Sequence, residues 1–151
     1  MRQPFQVLVY PTKTAGSGWE YLLLRRIASR GGFWQGVTGG VEKDEGLAEA
    51  AMRELIEETS FVPSVLEQID YSYSLPMQDE WQDMYAAGVE EIVEYVFVAF
   101  VDGQQEPTIS FEHDKWQWCS FNQALELLTW PGNIEALKRC DCFVKARLNT
   151  R

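Results

Sequence analysis

Histidine, cysteine and basic side chains are scarce in this sequence, and no apolar run is long. The longest purely apolar stretch, Val96 to Val101 with Tyr95 before it, is far short of the roughly 20 residues of a membrane-spanning helix. No segment is expected to cross a bilayer. Cys119, Cys140 and Cys142 are odd in number, and a Cys-x-Cys pair far from the single histidine, His113, has neither a disulfide-framework nor a usual zinc spacing. They read as reduced thiols, with Cys140 and Cys142 as packing residues and no redox role. Thirteen Lys and Arg against 23 Asp and Glu leave a formal charge of −10. That balance excludes a broad positive surface tracking a nucleic-acid backbone, so polyanion binding would need a local device such as bound cations. Met1-Arg2-Gln3-Pro4 enters only a short apolar run and lacks a small-residue cleavage site. It predicts no secretory signal and a cytoplasmic location.

What is present suffices for one core. The 151 residues are 46% apolar and 13% aromatic, which predicts a single domain over 1–151. Phe5 to Tyr10 reads as a strand, Pro11 to Gly18 as a turn, and Tyr21 to Arg26 as the returning strand of a hairpin. After Gly31-Gly32, Phe33 to Thr38 leads as a short strand into Gly39-Gly40, a pair that permits positive φ and close backbone approach. Leu47 to Thr59 consists of strong helix formers, and Met52, Leu55, Ile56 and Thr59 gather on one side as the expected buried face. Val65 to Ser74, Ile92 to Val101 and Lys115 to Cys119 have strand character, whereas Asn122 to Thr129 and Asn133 to Leu148 read as helices. The order is mixed α and β without repeats. Gln78 to Glu94 carries six acidic residues and no Lys or Arg, and reads as a solvated, mobile loop running into a strand.

Glu54, Glu57 and Glu58 stand at i, i+3 and i+4, so their side chains share one helix face. Three like charges repel there unless water or a cation disperses them, and hard ions such as Mg²⁺ or Mn²⁺ take carboxylate oxygens. A solvated acidic face is the ordinary reading of such a trio. The diglycine turn before the helix favours the other, because an exposed backbone carbonyl there could join the glutamates around a metal. Arg53 can hold a carboxylate by a bidentate pair, and Glu45 lies near the helix start, where the helix dipole favours negative charge.

Gly39, five residues, Glu45, seven residues, Arg53-Glu54-Leu55, Ile56, Glu57-Glu58, Thr59, Ser60, Phe61 resembles the signature of the Nudix hydrolases. Ser60 stands where that pattern has glycine; serine in a left-handed cap is expected to cost about 1 kcal/mol or to shift the cap. The resemblance implies an α/β/α sandwich around a mixed sheet, carrying the signature loop and helix. It further implies a phosphoanhydride hydrolase that uses divalent cations, Mg²⁺ or Mn²⁺. Glu54, Glu57 and Glu58 would be metal ligands, the Gly39 carbonyl a further ligand, Arg53 the orienting partner of a glutamate, and Glu45 a supporting carboxylate. Glu112, on a loop before a strand, is the main candidate outside the helix for the general base and a metal contact.

Beyond the signature, three stretches are similar to the dihydroneopterin triphosphate pyrophosphatases: Phe33-Trp34-Gln35-Gly36-Val37-Thr38-Gly39; Tyr85-Ala86-Ala87-Gly88-Val89 followed by Glu94; and Glu112-His113 with Trp116 or Trp118 beyond. Those enzymes remove pyrophosphate from a pterin triphosphate and also act on deoxynucleoside triphosphates such as dATP. Trp34 offers a flat face to a pterin or purine and Gln35 an amide for a ring edge; a core tryptophan beside a surface glutamine is the bland alternative. Strand alternation sends Arg25 and Arg26 to opposite faces, and Arg26 is the expected phosphate contact. Tyr85 could line the pocket, while Trp116, Trp118 and Trp130 read as core or interface residues. The expected partner is a small-molecule nucleotide or pterin triphosphate, with no nucleic acid and no membrane, bound by a monomer or homodimer. A dinucleoside polyphosphate or nucleotide-sugar hydrolase, and a non-catalytic nucleotide-binding module, are the alternatives.

Overall fold

The computed structural model describes residues 1–149. Its strands are β1 (Phe5–Ala15), β2 (Gly18–Arg26), β3 (Trp34–Gln35), β4 (Val37–Gly40), β5 (Val65–Pro76), β6 (Glu91–Phe100) and β7 (His113–Ser120). The helices are α1 (Leu47–Thr59), α2 (Phe121–Leu127) and α3 (Pro131–Asn149). The strands form one seven-stranded mixed sheet in which β1 runs parallel to β6 and the other pairs of these strands are antiparallel. Strand alternation then builds two cores. Val7, Val9, Leu22 and Leu24 meet Ala50, Ala51 and Leu55 of α1 on one face. Leu8, Tyr10, Tyr21 and Leu23 meet Ala124 of α2 and Ala136, Leu137, Cys140 and Val144 of α3 on the other. Each fully buried leucine or valine contributes about 2 kcal/mol, so both helix layers are anchored to the sheet and an α/β/α sandwich results. Among the described residues no helix is long and apolar enough to cross a membrane.

Several elements differ from the sequence expectation. Rather than turning at Pro11, β1 continues to Ala15. Pro11 is tolerated because it falls between Val9, the last residue paired with β4, and Thr12, the first paired with β2. The buried side of α1 comprises Ala50, Ala51, Glu54, Leu55, Glu58 and Thr59, while Ile56 is exposed. Two of the signature carboxylates therefore share the face that Met52 and Ile56 were expected to occupy. Ser60 takes the left-handed cap itself, with φ 64° and its N–H on the Ile56 carbonyl at 2.8 Å, so the cap geometry survives the absent glycine. Gly39 and Gly40 are the last residues of β4 and neither has positive φ.

In the acidic segment Asp79, Glu80, Asp83, Glu90 and Glu91 are exposed, as the expectation of a solvated loop has it, but not every residue is. Asp79–Met84 forms a 3₁₀ turn, Tyr85 is buried, and Glu94 lies buried within β6. Of the cysteines, Cys119 and Cys140 are buried and all three are free thiols; Cys142 is exposed, because the helix phase of α3 turns it outward.

Candidate active site

The site is assembled where β4 ends and α1 begins its second turn. Arg53 is its hub. Its Nε and Nη2 donate to the two oxygens of Glu45 at 2.8 and 2.9 Å, a forked pair that lowers the Glu45 pKa through those hydrogen bonds. Nη1 donates to Glu54 Oε1 at 2.7 Å and reaches Glu57 Oε2 at 3.5 Å, while Nη2 also donates to the Gly40 carbonyl at 2.9 Å. One guanidinium thus fixes the strand end, the loop carboxylate and the helix carboxylates relative to one another. The loop is held from its other side by Gln3, whose amide donates to the Glu42 and Glu45 carbonyls, both at 2.8 Å.

Space explains the glycine at 39. A Cβ there would overlap the Glu54 carboxyl group, so only the absent side chain lets this buried carboxylate lie against the strand backbone. Burial pushes the Glu54 pKa up to about 7, against the opposing pull of Arg53. Glu57 projects outward, with 55% of its side chain exposed, and supplies the accessible member of the trio. Among the described residues no three His, Cys, Asp or Glu side chains converge as a self-sufficient metal cage. An oxygen-only donor set of this kind nevertheless fits Mg²⁺, which usually binds through one or two carboxylates and completes its shell with water and substrate phosphate. The named side-chain contacts of Glu54 fall on Oε1, and those of Glu58 on Oε2, so each carboxylate retains an oxygen to offer.

At the far end of α1, residues 108–113 run against the helix. Thr108 N–H donates to the Thr59 carbonyl at 2.9 Å, and Ser110 Oγ donates to Glu58 Oε2 at 2.7 Å. His113 Nδ1 lies 2.9 Å from the same oxygen, at contact distance but without hydrogen-bond alignment. Burial is the largest influence on Glu58 and acts to raise its pKa, but His113, Ser110 and the Arg26 charge together outweigh it and hold the carboxyl below its ordinary value. Glu112 forms an ion pair with Arg30 at 3.5 Å. Arg26, displaced by a bulge that leaves Asp114 unpaired with β2, lies over the Phe33 ring and within the field of Glu112 and Glu58. Burial lowers its pKa, opposed by Glu112.

Gly39, Glu45, Arg53, Glu54, Glu57 and Glu58 are therefore brought together, with Glu112 and Arg26 beside Glu58. Arg25 points elsewhere, into an exposed pair with Asp114 at 2.8 Å. The structure does not place the expected ring-binding residues against the carboxylates. Trp34 pairs with Arg25 and packs on the α2–α3 core, Gln35 is buried with its amide on Thr38 Oγ1 at 3.1 Å, and Tyr85 is buried beside Arg2. Sequence reasoning missed Ser110 and treated His113 only as the neighbour of Glu112. The signal available was a lone histidine at the start of a strand, one residue beyond a candidate base.

A sequence profile described as the NUDIX domain matches residues 2–140. The chain is similar to an octanoyltransferase of Myxococcus xanthus, 35% identical over 134 residues, which is 88% of this chain and 35% of that protein; it thus spans about a third of that relative's length. It is also similar to the dihydroneopterin triphosphate diphosphatase of Haemophilus influenzae, 32% identical over 111 residues, 71% of this chain and 70% of that one. Among solved structures, a NUDIX hydrolase of Listeria monocytogenes superposes with a TM-score of 0.80 and 30% identity, covering 96% of this chain and 97% of that chain.

Proposed function

This chain belongs to the NUDIX family, and from that premise we propose that residues 1–151 act as one catalytic domain: a divalent-cation-dependent pyrophosphohydrolase that splits a phosphoanhydride bond. The observation that carries the reading is the fit of the Glu54 carboxyl over the vacant side of Gly39, held by Arg53, which donates to Glu54 and to the Gly40 carbonyl. Glu54, Glu57 and Glu58, with the Gly39 carbonyl, would hold Mg²⁺ or Mn²⁺. When bound, the cation supplies charge neutralisation for phosphate oxygens and a lowered pKa for water. Arg26 contacts a phosphate of the substrate. Glu112, held by Arg30, accepts the proton of the attacking water at its carboxylate.

The substrate we propose is dihydroneopterin triphosphate or a deoxynucleoside triphosphate such as dATP, cleaved to monophosphate and pyrophosphate. The named Haemophilus relative and the Phe33–Gly39, Tyr85–Val89 and Glu112-His113 stretches support it. Free thiols at Cys119, Cys140 and Cys142 suit a cytoplasmic location. Incubation with dihydroneopterin triphosphate, dATP and a dinucleoside tetraphosphate, each with Mg²⁺, tests the substrate by phosphorus NMR of the products. Pyrophosphate released fastest from the pterin or dATP supports the reading; preferential cleavage of the tetraphosphate overturns it. Replacing Glu57 with glutamine is expected to lower Mg²⁺-dependent turnover at least about a hundredfold with the fold intact, since it removes a charge that faces the cation. Unaltered turnover in that variant contradicts the assignment.

A further inference from the structure

His113 is the least explained polar side chain near the site. Its side chain is 3% exposed, and neither ring nitrogen has an aligned hydrogen-bond partner. Burying an imidazole costs desolvation that a close polar partner must offset, and Nδ1 has such a partner at 2.9 Å. What it does touch is one carboxylate oxygen. That oxygen, Glu58 Oε2, also accepts from Ser110 Oγ at 2.7 Å. The same hydroxyl accepts from the Glu112 backbone N–H at 3.3 Å, and His113 N–H closes the turn onto the Ser110 carbonyl at 3.2 Å. From the other side, Ile27 N–H donates to the Glu112 carbonyl at 3.0 Å, which ties the turn to the end of β2.

We propose that Ser110 and His113 are positioning residues: together they clamp Glu58 Oε2, turn its other oxygen toward the cation held with Glu54 and Glu57, and set the register of Glu112 against that carboxylate. The proposal rests on the site reading given above. Two contacts on one oxygen hold that oxygen in place and leave the other free to face the cation. Because Ser110 Oγ bonds both Glu58 and the Glu112 backbone, one hydroxyl bridges the helix ligand and the turn that carries the candidate base. Neither Ser110 nor His113 needs to touch substrate.

The test is Mn²⁺ titration followed by electron paramagnetic resonance, on the parent, Ser110→Ala, Ser110→Thr, His113→Phe, His113→Asn and Glu57→Gln, with urea unfolding of each. Ser110→Ala is expected to weaken Mn²⁺ binding about tenfold or more, in the range usual for outer partners of metal ligands, and Ser110→Thr to restore it. His113→Phe is expected to do the same, with partial rescue by His113→Asn, whose amide can reach Oε2. In both Ser110→Ala and His113→Phe, kcat is expected to fall while KM for the triphosphate stays. Should His113→Phe fail to fold, the serine pair decides the matter. Mn²⁺ affinity within about twofold of the parent in folded Ser110→Ala, with Glu57→Gln clearly weakened, overturns the clamp and leaves the site reading standing. No Mn²⁺ binding by the parent, or none lost in Glu57→Gln, overturns both.

Discussion

Two buried glutamates, one on each face of the sheet, have pKa values raised to about 7 by burial and yet sit in opposite circumstances. On the α1 face Glu54 meets a guanidinium and an exposed neighbouring carboxylate, Glu57. On the α3 face Glu94 meets only neutral donors: Gln6 Nε2 at 2.7 Å and Tyr73 Oη at 2.6 Å. Tyr73 Oη in turn accepts from the Asn133 side-chain amide at 3.0 Å, and the Asn133 backbone carbonyl accepts from Tyr10 Oη at 2.7 Å, so a run of hydrogen bonds docks the start of α3 on the sheet. The contrast shows that burial alone does not mark a catalytic carboxylate. One glutamate lies among charged side chains at the proposed cation site, whereas the other accepts from neutral donors in a network that holds two layers together.

The strongest way to break this contrast is at Gly39. Gly39→Ala pushes a methyl into the Glu54 carboxyl, and is expected to lower Mg²⁺-dependent turnover about 100-fold, as misplacement of a reacting group by about 1 Å does. Gly40→Ala meets only the flexible Arg2 side chain and is expected to lose less than about threefold. Equal losses in steady-state assays of the two variants would sink the spatial argument.

The next effect belongs to Glu94 and is read by stability. With a folded pKa raised to about 7 against an ordinary value of 4.5, the native state binds more protons than the unfolded chain in between. Its contribution is fully present below the ordinary value and is lost as pH rises through 7. Between pH 5 and pH 8 the parent should therefore lose about 2 kcal/mol that Glu94→Gln does not. Urea unfolding at the two pH values checks this, and parallel losses in parent and variant would contradict it.

The smallest effect lies at the end of α1. Ser60→Gly relieves a left-handed serine at φ 64°, partly offset by a more flexible unfolded chain, for a net gain of about 0.5 kcal/mol. Thermal unfolding measures it, and a drop in melting temperature would show that the Ser60 side chain stabilises the cap.

The signature helix was legible in the sequence to the residue, from Leu47 to Thr59, because strong helix formers and a following Pro63 bound it. The strands and the final helices followed from periodicity, and the mixed sheet from the resemblance to the Nudix hydrolases alone. The orientation of α1 did not, since apolar periodicity assigns Ile56 to the core, whereas the structure buries Glu54 and Glu58 and exposes Ile56. Acidic composition likewise hid Glu94, whose burial depends on partners at Gln6 and Tyr73 that are distant in sequence. Gly39 was singled out for positive φ and for close approach to its backbone; it has no positive φ, and what approaches it is the Glu54 carboxyl. Ser110 and His113 were invisible as a pair because their shared partner lies more than fifty residues earlier, brought close only when β7 pairs with β2.

The central claim is that α1 and the end of β4 together hold a divalent ion. Anomalous diffraction from crystals soaked in Mn²⁺ measures it most directly. A peak is expected between the Glu54, Glu57 and Glu58 carboxylates and the Gly39 carbonyl; density only elsewhere, with those carboxylates turned into water, would refute such a site.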